Sequence, residues 1–316
     1  MKLYFVTDIH GSDICFKKFV NASKYYGADV LVLGGDITGK MMVPLVRSSD
    51  GTYSSHFNGS DIKISTAQSK DEFIKNVKFN GFYPVEMSEE EYLKALNDKR
   101  YRDSVFENVM LDSVKSWVKL AEDRLQASKI QVYISSGNDD LLSMDGVLRE
   151  AETEHVHFVE KQIAFIEDKY ELLSWGDANK TPWNTPREFT EEELYEGLKN
   201  ISGRLQSPST SIFNVHVPPI GIGLDVCADL DETLKPIIHG GEIQMKSAGS
   251  TSVKTIMEEV QPMLGLHGHI HESPAIAKLG RTVCINPGSE YSQGVLRGAL
   301  VTIEKEKLKH YILTKG

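Results

Sequence analysis

Within its first forty residues the chain commits to a parallel sheet. KLYFVT, residues 2–7, is a β-branched and aromatic run. After HGSD, the residues Cys15, Phe19, Ala22 and Tyr26 recur at helical spacing and form one face of a helix, which Gly27 stops. DVLVLGG, residues 29–35, follows as a nearly unbroken apolar run, the pattern of a strand covered on both faces. Strand, crossover helix and second strand make a βαβ unit, whose right-handed crossover sets the two strands side by side and pointing the same way. Asp8 and Asp36 each lie just past a strand, so they are expected at one edge of one sheet.

The rhythm breaks over residues 41–100 and then resumes. That stretch reads as a hairpin with Gly and Asp turns followed by two short helical patches. It is an insertion rich in Tyr and Phe that leaves the chain just after Asp36, at the rim of any site there. A cap over the pocket, a dimer contact and a small satellite core are all open to it. From Asp103 a helical period carries Phe106, Met110, Trp117, Ala121 and Leu125 on one side and delivers the chain to KIQVYISSG, a third strand ending in Asn138, Asp139 and Asp140.

Hairpins dominate the second half. QIAFIEDKYELLSW is two strands about a polar turn, and the loop after it carries two capping-box patterns, Thr185 with Glu188 and Thr190 with Glu193. STSIFNVHV is a strand running into His216, TSVKTIMEEV a helix, and MLGLHGHIH a strand running into His269 and His271. Two hairpin-like segments close the chain. Crossovers first and hairpins later make an α/β protein, expected as one domain over residues 1–316.

Charge and composition narrow the function. With 45 acidic against 35 basic residues the net charge is −10, which discourages nonspecific nucleic-acid binding unless a local basic groove exists. Cys15, Cys227 and Cys284 are odd in number and have no CxxC spacing, so they are expected as small buried hydrophobes rather than disulfides or metal thiolates. The N-terminus lacks the apolar core of a signal peptide and no run is long enough to cross a membrane, so a cytoplasmic protein without membrane association is expected.

Polar residues of a restricted kind sit at five strand ends. They are Asp8 and His10, Asp36, Asn138, His216, and His269 with His271. Imidazole with carboxylate and no thiolate suits Mn, Fe, Zn, Ni or Co. Seven such groups exceed the need of one ion, whereas two ions sharing a carboxylate would use them all. Paired ions roughly 3.5–4 Å apart are the usual apparatus for hydrolysing phosphate esters. Each residue alone is better explained as a cap, a turn former or a buried histidine; the joint pattern is not.

The ordered set Asp8-x-His10, Gly35-Asp36, Gly137-Asn138, His216 and Gly268-His269-x-His271 resembles the calcineurin-like metallophosphoesterase superfamily. INPGSEY near the C-terminus is similar to archaeal and bacterial members of it. The resemblance implies a four-layer α/β/β/α sandwich with two mixed sheets. It further implies that Asp8, His10, Asp36 and His271 hold one divalent ion, Mn²⁺ foremost. Asp36 would bridge to a second ion held by Asn138, His216 and His269. A hydroxide between the ions would attack phosphorus in line.

One position departs from the family pattern. Gly-Asn is usually followed there by a His that meets the substrate and can protonate the leaving oxygen, and this chain has Asp139. An ionised Asp139 beside the ions would lower the positive charge that attracts phosphate and penalise a dianionic monoester more than a monoanionic diester. A small phosphodiester is therefore the expected substrate. A monoesterase, a nuclease of the same fold and a non-catalytic metal-binding scaffold are the alternatives. Asp139 and Asn138 are the candidate catalytic residues, Asn138, Lys40 and His239 are candidate substrate contacts, and Asn179 and Trp183 lie in a loop that can border the cleft. His267 reads as core, His155 and His157 as a solvated strand face, and Asp140 as support for the ligands.

Overall fold

The computed structural model describes all residues, 1–316. Two six-stranded sheets organise it. Numbered along the chain, their strands are β1 (Lys2–Val6), β2 (Val30–Gly34), β3 (Gln131–Ser135), β4 (Val156–Phe158), β5 (Ile163–Ile166), β6 (Tyr170–Trp175), β7 (Ile212–Val215), β8 (Leu264–Leu266), β9 (Ala275–Leu279), β10 (Thr282–Asn286), β11 (Arg297–Glu304) and β12 (Lys307–Lys315). The first sheet runs β12-β11-β1-β2-β3-β4 and the second β9-β10-β8-β7-β6-β5. Both are mixed: β1, β2, β3 and β4 run parallel while β11 and β12 run antiparallel, and β6, β7, β8 and β10 run parallel between antiparallel edges β5 and β9.

The alternation along β1 explains the layers. Leu3 and Phe5 face the second sheet and pack with Leu172, Ile212, Leu264 and Ile285. Tyr4 and Val6 face the other way, onto Phe16 and Phe19 of the helix Asp13–Tyr26 and onto Trp117 of the helix Lys99–Leu125. The second sheet repeats the arrangement, with Phe213 and Val215 against Leu198 and Ile201 of the helix Glu191–Ser202 and Val253 and Ile256 of the helix Thr251–Val260. Successive residues of a strand point to opposite faces, so a strand covered on both must be apolar throughout. Each such side chain withdrawn from water stabilises the fold by about 1.5–3 kcal/mol. The order helix, sheet, sheet, helix is the expected α/β/β/α sandwich.

The insertion is more regular than its sequence suggests. Its hairpin, Tyr53–Phe57 with Ser60–Ile64, extends through Met42–Arg47 to Tyr83–Ser88 as a four-stranded sheet. The helix Ala67–Phe79 packs on that sheet, and Val43, Leu45, Phe57, Ile64, Phe73 and Val77 make a small core of their own. The parallel pair Met42–Arg47 and Tyr83–Ser88 was not legible, because its partners stand some forty residues apart. At its root the insertion meets the loop after β1 backbone to backbone. A Cβ on Gly81 would lie 2.4 Å from the His10 carbonyl oxygen, one on Gly39 2.2 Å from that of Gly81, and one on Gly11 2.8 Å from the Gly39 Cα.

Three expectations need correction. His155 is buried, with Nδ1 3.0 Å from Glu122 Oε1 and Nε2 3.1 Å from the Ser128 carbonyl, and His157 is half-buried against Gln131. The long helix that carries Glu122 covers that edge of the sheet, which period-two alternation cannot register. Cys15 and Cys284 are buried as expected, but Cys227 is only partly so, because its segment lies in a surface hairpin, Val226–Ala228 with Met245–Ser247. Thr190 and Glu193 do form a capping box at the helix Glu191–Ser202, whereas Thr185 and Glu188 cap no helix. Glu188 lies in a two-residue strand beside Ala178–Asn179, and its carboxylate gathers the loop instead.

Candidate metal centre

Five loops converge where β1, β2, β3, β7 and β8 end. Asp8 and His10 follow β1, Asp36 follows β2, Asn138 follows β3, His216 follows β7, and His269 with His271 follow β8. Four of these residues carry left-handed backbone, Asp8 at φ 54°, His10 at 37°, Asp36 at 48° and His269 at 67°. Such conformations cost on the order of 1–3 kcal/mol each for a residue with a side chain and persist only where the surroundings impose them. Here the loops impose them on one another. The Asp8 N–H donates to the Gly35 carbonyl at 2.9 Å, His10 N–H to Asp36 at 3.0 Å and Gly11 N–H to Ile37 at 2.9 Å.

Two clusters of donor atoms result. Asp8, His10, Asp36 and His271 form one, Asp36, His216 and His269 the other, and within each the donor atoms lie within 4.8 Å of one another. Asp36 belongs to both. In the first, His10 Nε2 is 3.0 Å from His271 Nε2, which lies 3.3 Å from Asp8 Oδ1. In the second, His216 Nε2 is 3.4 Å from Asp36 Oδ2. Asn138 joins this second cluster, with Oδ1 2.7 Å from His269 Nδ1.

The His216 ring tests whether a cation fits. Its Nδ1 lies 3.1 Å from the Gly34 carbonyl, which can only accept, so the proton is on Nδ1 and Nε2 presents its lone pair. That Nε2 is buried and has no hydrogen-bond partner. Burial alone would pull the imidazole pKa down, but Asp36 beside it outweighs burial and raises it to about 10. The potential that favours a proton at Nε2 favours a divalent cation there equally. His10 and His269, by contrast, are pushed by burial to about 3 and about 4, so they stay neutral donors. Burial would raise Asp8, but its contact with His271 prevails and lowers it to about 2. The donor set therefore fits divalent ions of the imidazole- and carboxylate-binding kind.

Neighbouring groups aim these side chains. Thr7 donates its hydroxyl to Asp8 Oδ2 at 2.7 Å, the His269 N–H reaches both Asp8 oxygens at 3.1 Å, and Ser289 holds the Asp8 carbonyl at 2.6 Å. The Tyr291 ring packs 4.8 Å from His10. Asn138 donates Nδ2 to the Thr185 hydroxyl at 2.8 Å, which leaves its oxygen turned to the site. Asp140 is wholly buried and accepts from Ile37 N at 3.2 Å, Thr38 N at 2.9 Å, Thr38 Oγ1 at 2.6 Å and Gly137 N at 2.8 Å. It thereby fastens the loop after β2 to the loop after β3, the supporting task expected of it. Buried Arg187 donates to the Asp140 and Leu141 carbonyls and to both oxygens of Asp145. INPGSEY held the signal for Ser289 and Tyr291; nothing in the sequence singled out Arg187.

Asp139 occupies the expected position with an unexpected partner. Its N–H donates to Asp36 Oδ1 at 2.9 Å, while its carboxylate forms an ion pair with Lys40. Burial, then repulsion from Asp36, raises its pKa to about 6 against the opposing pull of Lys40. The Lys40 ammonium also cancels the charge that Asp139 brings, so the charge count behind a diester preference no longer separates the two ester classes. His239 is the other correction: it lies on an exposed two-residue hairpin arm and is absent from the cleft lining. His267 is core, with Nδ1 2.8 Å from the Val215 carbonyl. The cleft above the donors has a volume of about 660 Å³ and is lined by Lys40, Asp139 and His271 among its polar residues and by Phe106, Met110, Leu141 and Trp183 as its apolar ones.

No protein-family model matches the chain. Over 132 residues, 41% of this chain, it is 36% identical to the protein MJ1162 of Methanocaldococcus jannaschii, and the match takes in about half of that relative's length, 52%. One solved structure matches over 99% of this chain and 98% of its own at 17% identity, with a TM-score of 0.62. TT1561 of Thermus thermophilus matches over 100% of this chain and 97% of its own at 13% identity, with a TM-score of 0.54. At these identities the two structures share the fold. No helix is long and apolar enough to cross a membrane.

Proposed function

We propose that the chain hydrolyses phosphate esters at a centre of two divalent metal ions. The observation that carries this reading is the pair of buried donor clusters sharing Asp36. Asp8, His10, Asp36 and His271 hold one ion, and Asp36, Asn138, His216 and His269 the other. When bound, such ions supply Lewis acidity toward phosphoryl oxygens and lower the pKa of a coordinated water. Each protein group then has a task of its own. Neutral His10 and His269 donate lone pairs without adding charge, and Asn138 keeps its oxygen forward through Thr185. Lys40 offers an ammonium at the cleft wall, where it can meet a phosphoryl oxygen while still paired to Asp139.

Phosphodiesters are the preferred class in this reading. A cleft of about 660 Å³ with apolar walls exceeds what a bare phosphate requires and suits organic groups on the ester oxygens. Mn²⁺ is the first ion to test, with Fe, Zn, Ni and Co as alternatives. Metal analysis of the purified protein should find two ions per chain. Rates with Mn²⁺ on bis-p-nitrophenyl phosphate should exceed those on p-nitrophenyl phosphate. Absence of bound metal together with absence of hydrolysis under any divalent ion would overturn the proposal and favour a scaffold.

A further inference from the structure

Between β7 and the helix Thr251–Val260, residues 226–247 form a ribbon of two strands, one of them interrupted by a loop. Val226 pairs with Ser247, Cys227 with Lys246 and Ala228 with Met245; beyond the loop, Ile238 pairs with Ile243 and His239 with Glu242. Gly240 and Gly241 close the tip, both at positive φ, 61° and 87°, as the tightest hairpin turns require. The base is firmly held. Asp225 accepts from Gly221 N at 2.9 Å and Gly249 N at 3.1 Å, and Val226 N donates to Ser273 Oγ at 3.2 Å, two residues past His271.

Residues paired across a ladder point to the same face, and successive residues of a strand to opposite faces. One face of the ribbon therefore carries Val226, Ala228, Ile238, Ile243, Met245 and Ser247, without a charge among them. The other carries Cys227, His239, Glu242 and Lys246. Such alternation belongs to a sheet with one face covered and one in water. Nothing in this chain covers it. All of residues 231–247 are exposed, Ile238 at 65%, Met245 at 55% and Ile243 at 51%. Two strands alone are marginal in water, so the apolar face calls for a layer against it.

We infer that this face packs against the same face of a second copy of the chain, in a two-fold dimer. A two-fold contact needs a surface that complements itself, and an uncharged apolar face does so although each chain carries a net charge of −10. A nucleic acid or a charged peptide finds no charge to pair with there. The ribbon as a whole, with Asp229, Asp231, Glu232 and Glu242 against Lys235 and Lys246, is disfavoured at an anionic membrane. With its polar rim, the segment 231–247 can supply more than half of the about 20–30 residues that a standard interface takes from each side. The contact stands beside the candidate metal centre, because the base of the ribbon is tied to the loop that bears His271.

Sedimentation of the full chain from low to high micromolar concentration tests this, and should give the mass of two chains. Ile238→Asp combined with Ile243→Asp should raise the dimer Kd at least about a hundredfold, since symmetry doubles each new carboxylate in the contact. His239→Asp, which puts the same charge on the other face, should leave the dimer intact. Circular dichroism checks that both variants are folded. Amide hydrogen exchange of the native chain should slow over residues 238–245 as concentration rises. A native chain that stays monomeric throughout overturns the inference, and its flotation with phosphatidylcholine vesicles would assign the face to lipid instead. A dimer that survives the double substitution overturns it too, by placing the contact elsewhere.

Discussion

Lys40 and Asp139 form an ion pair at the wall of the candidate metal cleft, while the Asp139 N–H donates at 2.9 Å to Asp36, the carboxylate common to both donor clusters. One residue thus joins the charge balance of the pocket to the placement of Asp36. Removing the ammonium leaves a negative group facing an anionic substrate. Lys40→Ala should therefore lower kcat/KM for p-nitrophenyl phosphate more than for its bis ester, shifting the ratio on the order of tenfold, since a dianion has twice the electrostatic energy of a monoanion in the same potential. Asp139→Asn, with Lys40 intact, should shift the ratio the opposite way. Steady-state kinetics of the two variants on both esters checks the pair of signs.

Asp36 serves both clusters, so its loss should empty both. Asp36→Asn should lower the metal content of the purified protein by more than one ion per chain, whereas His216→Ala should remove about one. Elemental analysis after gel filtration distinguishes the two outcomes.

Asp140 holds four donors from two loops and is absent from the cleft lining. Asp140→Ala should leave those N–H groups and the Thr38 hydroxyl without a buried partner, costing roughly 2–4 kcal/mol of stability. Because Ile37 and Thr38 follow Asp36 directly, Mn²⁺ affinity should also fall by about 10–100-fold, the usual consequence of disturbing the groups that orient ligands. Chemical denaturation and metal titration read the two effects independently.

Chelation should destabilise the fold. Asp8 and Asp36 are buried side by side, and divalent ions that bind the folded chain add stability by mass action, about 2.7 kcal/mol at a hundred times Kd. Tm should fall in EDTA and recover when Mn²⁺ is returned in excess.

Glu160 gives stability a pH dependence away from the metals. It is buried, with Oε1 accepting from Gly176 at 2.9 Å and Oε2 unpartnered, and burial raises its pKa from 4.5 to about 7. The folded state thus holds this proton more tightly than the unfolded state. Stability from this group is full below pH 4.5, declines as pH rises to about 7, and stays lower above it, a difference of about 3 kcal/mol. Glu160→Gln should flatten the profile and stabilise the protein at pH 8. Urea unfolding between pH 5 and pH 8 checks both.

Local patterns carried most of the fold. β1, the first helix and β2 each have a run or face long enough to identify alone, and the parallel rule then brings Asp8 and Asp36 together. What stayed hidden depends on partners distant in the chain. The pairing of Met42–Arg47 with Tyr83–Ser88 needs a contact across the insertion, and the burial of His155 needs Glu122 on a helix above it. Thr185 and Glu188 satisfy a helix-start pattern by type and spacing, but strand pairing of Glu188 with Ala178 redirects the same hydrogen bonds into a loop clamp. At the metal centre the residue types were legible, while the partner of Asp139 was not, because Lys40 reaches it from the loop after β2.

The glycine junction makes the insertion a mechanical extension of the metal centre. Gly11, Gly39 and Gly81 let three chain segments touch where any side chain would part them, and the segment bearing Gly81 lies against the His10 carbonyl. The four-stranded sheet is therefore coupled to a candidate metal-binding histidine through backbone contacts alone. Exchanging the insertion for another, or trimming it, would need the replacement to return through a glycine at the same point; otherwise His10 would lose its footing before the cleft above it changed shape.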